Sequence, residues 1–194
     1  SCVIDSETHR VSRSITFKPN LVNGALKDTA DVGVVTAYHY GTDFKTETSE
    51  VDANDWAILK LDKPLGEKYG YLGWQSPKEM AALVKKLSLV GYSADFPKSS
   101  RAYPGLELTA GPGLTAGVHR GCSFVGEQGG LWLHDCDTRG GASGGPILTK
   151  VNGDYYIVGL HAGWRRTPNG KVVNYAVRMS QIEAWLNQND KPEK

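Results

Sequence analysis

The apolar runs of this chain are no longer than a β-strand, and turn residues close them. Val32-Gly33-Val34-Val35-Thr36-Ala37-Tyr38, Trp56-Ala57-Ile58-Leu59-Lys60-Leu61, Leu87-Ser88-Leu89-Val90 and Tyr155-Tyr156-Ile157-Val158-Gly159-Leu160 carry the β-branched and aromatic content of strands. Twenty-three glycines and nine prolines punctuate them, which excludes a bundle of long helices. Asn152-Gly153 and Asn169-Gly170 are hairpin signals, each able to place a glycine at positive φ. Short strands with such turns predict a sandwich or a barrel.

Two segments read as helices. Pro77–Lys86 has helix formers behind a proline suited to a first turn. Ser180 is placed to cap Gln181–Leu186, with Glu183 completing a capping box. Ile182, Trp185 and Leu186 then share one face that docks on the strands, and the polar tail after Asn187 is left to fray. The polar stretch between residues 62 and 87, opened by Pro64-Leu65-Gly66, divides the chain into halves 1–75 and 76–194.

A chain of 194 residues with 40% hydrophobic content buries a substantial core. Lysine plus arginine number 22 against 21 acidic residues, and the net charge of +1 gives no reason to expect nucleic acid or an anionic membrane as partner. No apolar run approaches the ~20 residues that span a bilayer. The expectation is a soluble chain from which any export signal is gone, secreted or periplasmic. Cysteines are odd in number: Cys2, Cys122 and Cys136. Cys122 and Cys136 flank a stretch able to fold back and join them, the alternative being two reduced buried thiols. Cys2 is then either a free thiol or the partner of a cysteine upstream.

Cys136-Asp137-Thr138-Arg139-Gly140-Gly141-Ala142-Ser143-Gly144-Gly145-Pro146 is the most informative stretch. Serine is a poor nucleophile at its own pKa and needs a base, together with donors for the oxyanion formed on attack. Glycines on both sides let the backbone turn tightly, so that the N–H groups of Gly141 and Ser143 converge on one point. An ordinary Gly-rich turn is the competing reading. The strand beginning Ile147-Leu148 argues against it.

With these residues the sequence resembles the chymotrypsin-like serine proteases, and the bacterial glutamyl-endopeptidase branch more than the digestive enzymes. The resemblance covers nearly the whole chain. Asp55-Trp56-Ala57-Ile58-Leu59-Lys60-Leu61 looks like the family's buried aspartate opening a strand, and Asn174-Tyr175-Ala176-Val177 like its closing segment. It implies an all-β fold of two antiparallel Greek-key β-barrels, the first missing its N-terminal strands, with a C-terminal α-helix and the active site between the barrels. It also implies that Asp55 orients a histidine and stabilises the imidazolium. The alternative for Asp55 is a solvated turn carboxylate.

The family's histidine immediately precedes a cysteine in a small-residue turn, and the matching text is Ser1-Cys2-Val3-Ile4. Ser1 stands where the base is expected, and serine cannot accept a proton at neutral pH as imidazole does. Truncation, deliberate replacement and natural loss are three accounts of it, and a missing upstream segment or chain is the preferred one. His9, His39 and His119 read as surface or structural side chains, and His134 as wall or core. The resemblance therefore implies a serine endopeptidase acting on a peptide or protein substrate through an acyl-serine. Its rival is a pseudoprotease, a binding module that keeps the cleft.

By position, Asp137 and Thr138 line one wall of the pocket before the scissile bond, and His161, Ala162, Gly163 and Trp164 the other. Thr138 with His161 matches the pair with which glutamyl endopeptidases receive an acidic side chain. Asp137 would instead favour Arg or Lys if it points inward, and Trp164 would narrow the mouth. His161 as a plain core histidine remains open. Ala142 cannot form the ion pair by which digestive relatives capture a new N-terminus. No metal cluster or cofactor fingerprint is present, so no cofactor is expected.

Overall fold

A computed structural model describes residues 2–5, 7–44, 52–77, 83–94, 111, 113–167 and 169–189. The first half is a set of small antiparallel sheets. Strands β1 (Ile4–Asp5) and β2 (Arg10–Val11) form one hairpin. β3 (Thr16–Phe17) follows, then β4 (Leu21–Val22) and β5 (Ala25–Leu26), joined at Asn23-Gly24 with φ of 50° and 76°. β6 (Gly33–Tyr40) pairs with β3 on one side and β7 (Ala57–Leu61) on the other. Helix α1 (Leu65–Tyr69) ends this half.

The second half is one curled sheet, which also takes in a short strand at residues 73–74 from the end of the first. Its strands are β8 (Gly73–Trp74), β9 (Leu87–Gly91), β10 (Gly117–Cys122), β11 (Phe124–Gln128), β12 (Leu131–His134), β13 (Pro146–Val151), β14 (Asp154–Arg166) and β15 (Val172–Arg178). They order as β10-β9-β13-β14-β15-β12-β11, antiparallel throughout, with β8 added in parallel to β14. Only Ser123 separates the two end strands, β10 and β11, so the chain itself brings the ends of the sheet round to meet, although the ladder does not close by hydrogen bonds. The Asn152-Gly153 turn between β13 and β14 has φ of 51° and 100°, as its residues require.

The period of two along the strands sorts their side chains into two cores. Leu87, Leu89, Phe124, Trp132, Ile147, Val158 and Ala176 fill the inside of the curl. Their neighbours Leu131, Tyr175 and Val177 point outward. There they meet Met179 and Ile182 of helix α2 (Met179–Asn189) and Trp56 from the first half. This outer core joins the halves. Cys122 and Cys136 are bridged, with Cα atoms 4.9 Å apart. A loop of that length contributes about 3 kcal/mol in the chain-entropy account.

Helix α2 docks through Ile182, Trp185 and Leu186. It begins at Met179, so Ser180 lies inside the helix and is not its cap. Glu183 accepts a hydrogen bond from Ser76 Oγ, tying the helix to the segment after β8 and leaving the expected capping box unformed. Residues 78–82 of the expected Pro77–Lys86 helix lie outside the described residues. Its described end is a turn, in which Lys86 N–H donates to the Leu83 carbonyl at 3.0 Å.

Candidate active site

Two local structures meet across the junction of the halves. On the first, Asp52 Oδ1 accepts from Asn54 N–H at 2.8 Å and the Asp52 carbonyl from Asp55 N–H at 3.0 Å, a tight turn that delivers Asp55 to the start of β7. Asp52 thus shapes the turn, and of the two half-buried carboxylates Asp55 is the one that lines the cleft.

On the second, Ala142-Ser143-Gly144-Gly145 makes a turn closed by Gly145 N–H to the Ala142 carbonyl at 2.9 Å. Gly144 N–H donates to the His161 carbonyl at 2.7 Å and His161 N–H to the Gly145 carbonyl at 2.9 Å, which locks the turn onto β14. Gly141 and Gly144 take φ of 97° and 80°, a region that side chains rarely adopt.

Ser143 and Asp55 line one cleft of about 250 Å³ together with Cys2, Tyr40, Phe44 and His161. The Cys2 thiol lies 4.0 Å from the Ser143 carbonyl oxygen. Neither the Ser143 hydroxyl nor the N–H groups of Gly141 and Ser143 have a hydrogen-bond partner among the described residues. The Gly140 carbonyl accepts from Ala94 N–H at 3.0 Å. A trans peptide sets its N–H opposite its C=O, so the Gly141 N–H faces away from that contact.

Of the other residues expected at the site, His161 lines the cleft and Asp137, Thr138 and Gly163 do not. Asp137 borders a separate pocket of about 20 Å³ behind the nucleophile turn, with His119 and Ala142. Its N–H is held by His119 Nδ1 at 2.7 Å, which keeps the segment on that side. The Thr138 hydroxyl turns to the Arg139 carbonyl. Gly163 follows a bulge in β14, where the register slips between His161 and Gly163. The bulge puts His161 and Ala162 together on the cleft wall. Ser1 lies outside the described residues.

The remaining histidines are engaged elsewhere. His9 Nδ1 meets the Asp43 carbonyl at 3.1 Å, and the His39 ring packs on Trp185 at 4.8 Å. His134 is buried, its Nε2 3.1 Å from His161 Nδ1. Burial, and then the neighbouring His161, holds His134 down at about 3, and burial holds His161 at about 4. Both rings are therefore neutral at neutral pH. Tyr40 and Phe44 on the cleft wall carry no local signature, because their place depends on how β6 packs.

The chain has the fold of trypsin-like serine proteases. It superposes on the crystal structure of the protease Anisep from Arthrobacter nicotinovorans with a TM-score of 0.59 at 17% identity, over 92% of this chain and 75% of that one. It superposes on the thermostable serine protease AL20 from an extremophilic microorganism with a TM-score of 0.61 at 14% identity, over 97% and 82%. No protein-family model and no curated sequence matches the chain.

Proposed function

We propose that this protein carries the machinery of a serine endopeptidase, in which Ser143 attacks the peptide carbonyl and forms an acyl-enzyme that water then hydrolyses. The observation that supports it is the meeting of Ser143 and Asp55, from opposite halves, on one cleft. Asp55 orients the base and stabilises its protonated form, and the N–H groups of Gly141 and Ser143 receive the oxyanion. The base that this mechanism calls for is a histidine at position 1. In this chain that position is Ser1, so the chain as it stands lacks the proton acceptor.

The cleft's preference is for acidic residues. His134 Nδ1 is buried without a partner. We assign the shared proton to His134 Nε2, which leaves a lone pair and not a stranded N–H on His134 Nδ1. His161 then carries its own proton on Nε2, a donor suited to a carboxylate. The bridged Cys122–Cys136 pair favours a secreted or periplasmic location. A further segment or chain completes the first half, whose Phe17, Val34, Tyr38 and Tyr40 are exposed.

A pseudoprotease that binds peptides in the same cleft is the second reading, favoured by Ser1 and by the engagement of every described histidine. The test is Ser1→His, followed by treatment with an organophosphonate and peptide mapping. Label on Ser143, absent in Ser143→Ala, together with hydrolysis of Glu-containing peptides, is the expected result. A folded Ser1→His protein that binds peptide but neither hydrolyses it nor takes label decides for the binding module.

A further inference from the structure

The segment that carries the nucleophile has four glycines among residues 140–146, and a flexible backbone of that kind does not hold an oxyanion turn by itself. Ala142 brings no polar atom to help. Its methyl is buried against Gly91, facing the small pocket behind the turn. The polar groups around that pocket come from elsewhere in the fold. Ser93, just after β9, accepts the Arg139 N–H on its Oγ at 2.8 Å. His119, on β10, accepts the Asp137 N–H on Nδ1 at 2.7 Å. Ala94, next to Ser93, donates to the Gly140 carbonyl.

We propose that Ser93 and His119 are positioning residues for the chemistry of Ser143: they grip the backbone of residues 137–139 from behind, so that the Gly140 carbonyl turns to Ala94 and the Gly141 N–H stays available beside that of Ser143. This rests on the endopeptidase reading. The brace is built of a hydroxyl just after β9 and an imidazole on β10, so the oxyanion turn is formed in the folded chain without a charge at residue 142. Neither residue touches the cleft. Both act through the main chain of the loop.

Two measurements test it. The first is hydrogen exchange of the amides of residues 137–143 in the chain as it exists. Ser93→Ala and His119→Leu should speed exchange there about tenfold, the effect of one lost hydrogen bond. Ser93→Thr, which keeps the hydroxyl, and His119→Asn, which keeps an acceptor at the δ position, should restore protection. The second uses the Ser1→His protein. There the two disruptive changes should lower kcat at least about tenfold with KM within about twofold, since the loss falls on the oxyanion and not on substrate binding. Unchanged exchange in the loop overturns the brace, as does faster exchange with kcat unaltered. A Ser1→His protein that never turns over, while its loop still loosens in the variants, removes the hydrolase reading and leaves the brace standing.

Discussion

At Gly145 the fold allows no side chain. A Cβ there would lie 2.5 Å from the Val90 carbonyl oxygen and 2.7 Å from that of Ala142, both backbone atoms that cannot swing aside. Gly145→Ala should cost roughly 1–3 kcal/mol, whereas Gly140→Ala, with open space around its Cβ, should stay within about 0.5 kcal/mol. Urea unfolding of the two variants measures this, and equal midpoints would refute the close approach. The buried histidine pair makes a second prediction. Both rings hold pKa values below that of imidazole in the unfolded chain, about 6.5, so below that pH the unfolded state binds more protons. Stability is then full above about 6.5 and falls as the pH is lowered toward 4. The loss over that range should be on the order of a few kcal/mol. His134→Phe should flatten the slope, and a wild-type unfolding midpoint that ignores pH between 7 and 4 would exclude a neutral pair.

At the level of elements, what could be read from the sequence follows the distance over which its causes act. The four strand-like runs became β6, β7, β9 and β14 because β-branched content and flanking turns are local properties. The Asn-Gly at 152–153 made its hairpin for the same reason, and Asn23-Gly24 made another that the same rule would have found. Asp55 and Ser143 were legible because a turn before an apolar strand, and glycines around a serine, are signatures carried in one place. The substrate wall was not legible in full. Asp137 leaves the cleft because His119, 18 residues away, holds its N–H, and His161 enters it through a bulge that no local residue announces. The capping box failed for a similar reason, since Glu183 found Ser76, 107 residues distant. Ser93 and His119 show no motif at all, because their role exists only once β9 and β10 lie behind the loop.

For the whole molecule, the two halves are unequal in what they bury. Among the described residues up to 75, the large apolar side chains that are buried are Ile4, Trp56 and Leu65, while residues beyond 82 supply all the buried members of the inner core cluster and all but Trp56 of the outer one. Hydrophobic burial is the main stabilising term, so the first half depends on its docking to the second. That docking runs through α2, where Trp185 packs edge-on against Trp56 at 5.6 Å and tilts over His39 at 4.8 Å. Trp56 follows Asp55 directly, so the same contact that holds the half in place holds Asp55 on the cleft that Ser143 also lines. Truncating Trp185 to alanine should therefore loosen the molecule unevenly. Amides of β6 and β7 should exchange markedly faster, while those of β9 and β13, around the inner core, keep their protection. Hydrogen exchange followed by peptide-level mass spectrometry resolves the two regions. A uniform rise across both halves would mean a single cooperative unit, and no rise at β6 and β7 would mean that the first half is held by contacts other than this helix.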